Sequence, residues 1–147
     1  MSLVEHKKAR LEYEILEEYE AGLELFGHEV KALRAKQGKL EGAHIIVRGG
    51  EAYVVGMHIP PYQAANTPST YDPTRSRKLL LTKKEIAALQ GQEKQKGLTV
   101  LPLRVYNKGR NLKLALAVAR GRKRHDKRAV LKERDTKREI ERTLKNK

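Results

Sequence analysis

The sequence predicts a mainly β domain with a few helices, followed by a basic tail, and three observations carry that expectation. Two pairs of alternating, β-branched apolar runs are each joined by a short glycine-containing turn. Only short segments between those runs read as helices. The charge is uneven: of a net +14, +8 lies in residues 120–147, with thirteen Lys and Arg against five Asp and Glu. The expected division is therefore a globular domain over 1–119 and a basic tail over 120–147, and 147 residues suffice for one modest core.

In chain order, the first segment is locally ambiguous. Arg10 to Ala21 is rich in Glu and Leu, which favours a helix, yet Tyr13 with Ile15 and Tyr19 with Ala21 also fit a strand. Glu29 to Gln37 reads as a helix with Val30 and Leu33 facing inward and Gly38 ending it. Ala43–Val47 and Ala52–Val55 flank Arg48-Gly49-Gly50-Glu51 and read as a hairpin, since paired glycines supply the positive φ of a tight turn. Residues 60–77 are rich in Pro, Asn, Ser and Thr without periodicity, as expected of a surface connection. Thr82-Lys83-Lys84-Glu85 fits a capping box opening a helix with Ile86 and Leu89 inward and Gly91 as its stop.

A second hairpin joins Thr99–Tyr106 to Asn111–Val118. Leu112, Leu114, Leu116 and Val118 share one face, and Pro102, unable to donate to a ladder, is expected at an edge or bulge. Many short strands and few helices in a small basic domain point to an OB-like antiparallel barrel, closed or partly open, of the kind that binds nucleic acid. The tail past Arg128 has few apolar residues (Val130, Leu131, Ile140 and Leu144) that do not form a continuous stripe. Such a segment is expected to be disordered when free and helical on an anionic partner.

Composition excludes several functions. A pI near 10.1 makes a polyanion the expected partner. No apolar run approaches the length of a membrane span, no signal peptide is evident, and a cytoplasmic location is expected. There is no cysteine, and no histidine pair stands at metal-ligand spacing, so no metal or cofactor is expected. Neither a phosphate loop nor a nucleophile elbow is present, which argues against an enzyme. With one Phe and six Tyr, shape and phosphate recognition of a folded RNA fits better than stacking of many bases.

Nearly the whole chain, from Lys7 to about Arg142, resembles the SmpB (SsrA-binding protein) family. The stretches that carry the resemblance are Tyr19–Leu23, Gly27–Arg34, His58-Ile59-Pro60-Pro61-Tyr62, Asp72-Pro73, Arg77–Leu81, Lys96-Gly97, Val100–Leu103, Ala119–Arg128 and Lys132–Asp135, in that order and spacing. The resemblance implies an OB-like barrel with flanking helices, which makes Arg10–Leu25 largely strand. It implies binding to the tRNA-like domain of transfer-messenger RNA and delivery to stalled ribosomes for trans-translation. The tail would probe the empty mRNA channel at the small-subunit decoding centre. A monomer is expected.

The resemblance places Glu29, Leu80 and Lys113 at positions this family uses for RNA contact, while Leu80, like Val30, reads equally as a core-packing residue. Arg77 and Lys78 join them on charge, as do Arg122 and Lys123, which open the tail. Gly121, Arg122, His125, Asp126, Lys127 and Arg128 match the family's ribosome-engaging motif. His125 offers a flat ring for stacking, and Lys127 and Arg128 offer phosphate contacts. The sequence departs from the family at His6, where Asn is frequent, and at Thr136, where Trp is frequent. The competing reading is a structural ribosomal or rRNA-binding protein of equal basicity.

Overall fold

The computed structural model describes residues 2–145 apart from 64 and 66; the side chains of 124–126, 139, 141 and 143–145 are outside the described set. Its elements are β1 (Ser2–Glu5), α1 (Ala9–Glu12), β2 (Tyr13–Leu23), α2 (Gly27–Arg34), β3 (His44–Arg48), β4 (Glu51–Val55), β5 (Arg77–Leu80), α3 (Lys83–Glu93), β6 (Leu98–Lys108), β7 (Asn111–Gly121) and α4 (Arg124–Lys145). All seven strands form one sheet in the order β1-β6-β7-β2-β5-β4-β3, antiparallel throughout. The sheet curls until β3 packs beside β6, with α3 against both. Among the described residues no hydrogen-bonded pairing joins β3 back to β1 or β6, so the barrel is partly open.

Both expected hairpins form. Gly49 and Gly50 have φ of 61° and 75° between β3 and β4, the pair of positive values a type I′ turn requires. The inner face of β7 presents Leu112, Leu114, Leu116 and Val118 to the main core, beside Ile45, Val54, Leu79 and Val105. Its outer face carries Ala115, Ala117 and Ala119, which form a second cluster with Ala9, Leu101 and Leu103. Alanines on that face leave room for α1 to lie close to the sheet.

Two bulges make this double use of the strands possible. One lies between Ile15 and Glu17 on β2 and turns the strand over. Tyr13 and Ile15 therefore pack on the outer cluster, whereas Tyr19, Ala21 and Leu23 face the main core. The other lies between Pro102 and Arg104 on β6, and a bulge is a place where a strand tolerates a proline that has no N–H to donate.

The segment Arg10–Leu25 is strand from Tyr13 to Leu23, but Arg10 to Glu12 belong to the helical turn α1. α2 runs Gly27–Arg34, earlier at both ends than the periodicity indicates, and Lys36 (φ 61°) rather than Gly38 takes the first left-handed position. α3 opens with its capping box: Thr82 Oγ1 accepts from the Glu85 amide at 3.2 Å and Glu85 Oε1 accepts from the Thr82 amide at 3.0 Å. It continues past Gly91 to Glu93. The gain from extending the helix is visible: Glu93 accepts from Val47 N at 3.1 Å and Arg48 Nη1 at 3.0 Å, blunting the free edge of β3.

Candidate nucleic-acid interface

Pairing across three strands brings Leu80 and Lys113 together. Gly22 of β2 faces Leu80 on one side and Lys113 on the other. Lacking a side chain, Gly22 lets Leu80 lie across it; a Cβ there would stand 3.1 Å from Leu80 Cβ. Leu80 remains 54% exposed, which fits a surface contact and not a core role. A cavity of about 340 Å³ opens beside it, lined also by Leu25, Val30, Arg34, Arg110 and Lys113. Arg34 Nη2 donates to the Arg110 carbonyl at 2.9 Å and so fixes the α2 end against the β6–β7 turn. An apolar floor with cations at its margin suits a sugar–phosphate backbone with an apolar contact at its centre.

Lys78, one pleat along β5, faces outward on the same side as Leu80. Its Nζ lies 2.9 Å from Glu51 Oε1, and that pairing raises the lysine above its ordinary pKa. A further shallow cavity joins Lys78 to Tyr53, Leu25, Phe26 and Arg75. Leu25 thus belongs to both cavities, and the two make one continuous surface.

Glu29 and Arg77 are in a different situation, and a direct RNA contact does not fit either. Both are 0% exposed. Glu29 Oε1 accepts from the Phe26 amide at 2.8 Å and from Arg75 Nη2 at 2.5 Å. Oε2 accepts from Arg77 Nε at 2.7 Å and Arg75 Nε at 3.1 Å, with the Tyr71 hydroxyl at 3.0 Å. Burial raises the Glu29 carboxyl, but the Arg75 hydrogen bond, the Phe26 amide and the Arg77 charge together outweigh it and hold it at about 2.

All five N–H groups of the Arg77 guanidinium are used. Nε goes to Glu29, Nη1 to the carbonyls of Met57 (2.7 Å) and Arg75 (3.2 Å), and Nη2 to Tyr71 Oη (2.9 Å) and the Pro73 carbonyl (3.0 Å). The pair therefore pins the 60–76 connection against α2 and β5, and acts on the surface only by positioning it.

The tail residues stand elsewhere. Gly121 closes β7 opposite Tyr13, eight residues beyond Lys113, or about 25 Å at the rise of a strand. Arg122 donates from its amide to the Glu12 carbonyl at 2.8 Å and from Nε to the Arg10 carbonyl at 3.1 Å, tying the chain to α1. It and Lys123 consequently belong with the start of the tail and not with the Leu80–Lys113 surface. Lys127, whose amide donates to the Lys123 carbonyl at 3.1 Å, lies in the first turn of α4, and Arg128 is exposed. The side chains of His125 and Asp126 lie outside the described residues.

At the two departures noted above, His6 donates its amide to the Leu103 carbonyl at 2.8 Å. Thr136 Oγ1 donates to the Lys132 carbonyl at 3.1 Å.

Sequence reasoning missed Phe26, Arg75 and Tyr71. The signal available was the close spacing of Arg75 and Arg77, with Tyr71 just before them, at the end of a segment whose only other charge is Asp72, which is weak without knowing that Glu29 lies opposite. Among the described residues no group of three or more His, Asp and Glu converges as a metal site, and no helix is long and apolar enough to cross a membrane.

Known proteins resemble this chain over most of its length. The family described as SmpB protein matches residues 3–146. An SsrA-binding protein of Synechococcus sp. (strain JA-3-3Ab) is 53% identical over 98% of this chain and 94% of its own length. That of Thermosynechococcus vestitus is 49% identical over 97% and 94%. A solved structure described as "tmRNA-SmpB: a journey to the center of the bacterial ribosome" is 42% identical, covers 86% of this chain and 92% of its own, and superposes with a TM-score of 0.68.

Proposed function

The chain belongs to the SmpB family, and from that membership we propose that it binds the tRNA-like domain of transfer-messenger RNA and brings it to stalled ribosomes for trans-translation. The observation that carries this reading is the likeness, over most of both chains, to a protein solved together with transfer-messenger RNA on the ribosome. The chemistry is that of recognition. The Leu80–Lys113 surface, with Arg34, Arg110 and Lys78 around it, holds the RNA by shape and charge. Glu29 and Arg77 hold that surface in place from within.

The tail begins at the far end of β7, and there Gly121, Arg122, Lys123, His125, Asp126, Lys127 and Arg128 engage the small subunit. We assign α4 to the empty mRNA channel, where its nine Lys and Arg meet rRNA phosphates. A tail this poor in apolar contacts folds as helix mainly on that partner. Work on the ribosome implies a cytoplasmic location, and a binding role requires no cofactor.

The test is binding of the purified protein to transfer-messenger RNA against excess ordinary tRNA across a salt series. Non-specific affinity collapses as counterion release is lost, so preference for transfer-messenger RNA near physiological salt is the expected result. Equal binding to both RNAs, together with equal stoichiometry on one ribosomal subunit, would instead identify a structural ribosomal protein. Removing 124–147 tests the division of labour. Among the described residues neither hydrophobic cluster contains a residue of α4, so RNA affinity should persist while peptide tagging is lost.

A further inference from the structure

Beside the surface just described lies a third cavity, of about 530 Å³, lined by Phe26, His28, Pro68, Tyr71, Asp72 and Arg75 among others. It lies within the size range of small-ligand sites. Phe26 is the sole phenylalanine of the chain, and it is 51% exposed at this position. The Arg75 guanidinium carbon stands 4.0 Å from the centre of its ring.

A surface arginine does not hold such a pose unaided. Arg75 is fixed from behind by both oxygens of Glu29 and by the Glu24 carbonyl at 3.4 Å. The stacked pair is therefore built before any ligand arrives, and its ordering cost is already met within the fold. The remaining wall is also aromatic. The His28 ring lies 5.7 Å from that of Phe26 and meets Tyr71 edge-on at 4.5 Å. His28 Nδ1 is buried and has no hydrogen-bond partner.

Asp72 supplies the negative charge. Its Oδ1 accepts from the Thr74 amide and hydroxyl, each at 2.9 Å. Those bonds hold its carboxyl below the usual carboxylate range, so it is ionised at neutral pH. A carboxylate in the wall repels phosphate and favours a ligand that donates hydrogen bonds. A stacked ring and guanidinium favour a flat, electron-rich heterocycle. Among nucleobases, guanine alone presents two adjacent donors, N1–H and the exocyclic amine, on the edge it uses for pairing. A carboxylate accepts from both.

We propose that this cavity binds one unpaired guanine of the RNA, stacked on the Phe26–Arg75 pair, with Asp72 accepting from its N1–H and exocyclic amine. The inference rests on the reading that this protein binds transfer-messenger RNA, and it adds base recognition to a surface otherwise governed by shape and charge.

The experiment measures transfer-messenger RNA affinity of the full chain and of Phe26→Leu, Phe26→Tyr and Asp72→Asn, with chemical probing of guanine pairing edges in each complex. Phe26→Leu keeps apolar bulk at an exposed position and should lose about 5- to 150-fold in affinity, the range for one stacked base. Phe26→Tyr keeps the ring and should restore it. One unpaired guanine should be protected by the wild type and reactive with Phe26→Leu. Replacing that guanine by inosine, which lacks the amine, should weaken the wild type but not Asp72→Asn. Unchanged affinity for Phe26→Leu, or protection of a different base, overturns the guanine site and leaves the RNA-binding reading standing. A wild-type protein that does not prefer transfer-messenger RNA overturns both.

Discussion

Replacing Glu29 by Gln preserves the volume of the side chain and removes its charge. Arg77 then keeps its bonds to Met57, Arg75, Tyr71 and Pro73 but becomes a fully buried cation with no anion beside it. Arg75 loses the same partner at the surface. Removing one member of a buried ion pair costs about 3–5 kcal/mol, because the survivor has been taken out of water without compensation. That is a large share of the roughly 5–15 kcal/mol that stabilises a domain. With an m-value of about 2 kcal/mol per molar in urea, the unfolding midpoint should fall by about 2 M at unchanged slope. The double variant Glu29→Gln/Arg77→Met, which removes both charges, should recover part of the loss. A Glu29→Gln protein within about 0.5 kcal/mol of wild type, inside the range of ordinary surface substitutions, would refute the assignment of this pair as the pin of the connection.

The same carboxylate sets an acid limit. Its pKa is depressed to about 2 from an ordinary 4.5, so its stabilisation is complete above the ordinary value and lost as pH falls through the depressed one. About 3 kcal/mol should disappear over that window in urea titrations, and this component should be missing in Glu29→Gln. Leu80→Ala should change stability by less than about 0.5 kcal/mol, since the side chain is mostly exposed, yet lower RNA affinity in a filter-binding assay. Lys113→Ala should weaken RNA binding and make the salt dependence shallower by about one unit of slope, the signature of a lost phosphate contact. Thr82→Ala should cost about 1 kcal/mol and speed amide exchange in the first turn of α3, whose Glu85 N–H it leaves without an acceptor.

Residue pattern by itself determined the two hairpins, the inward row of Leu112, Leu114, Leu116 and Val118, the Thr82 capping box and the uneven charge. Each depends on neighbours in sequence: a turn on its glycines, a face on period two, a cap on residues three apart. The family resemblance added the strand over most of Arg10–Leu25, which propensity left open. Local patterns did not reveal the bulge after Ile15, because the choice of which face Tyr13 and Tyr19 cover is made by β7 and α1.

The fate of Glu29 and Arg77 was decided by tertiary structure alone. They are 48 residues apart, and each, taken singly, reads as a surface charge available to RNA. Only the approach of α2, β5 and the connection before it brings one anion to two cations and closes water out, which converts two expected contacts into the support beneath the surface. Leu80 shows the reverse: an apolar residue in a strand reads as core, and its exposure follows from strand order, which sets it beside Gly22 and Lys113 on the outer face. Burial is a property of the assembled sheet, so no pattern of neighbours in sequence contains it.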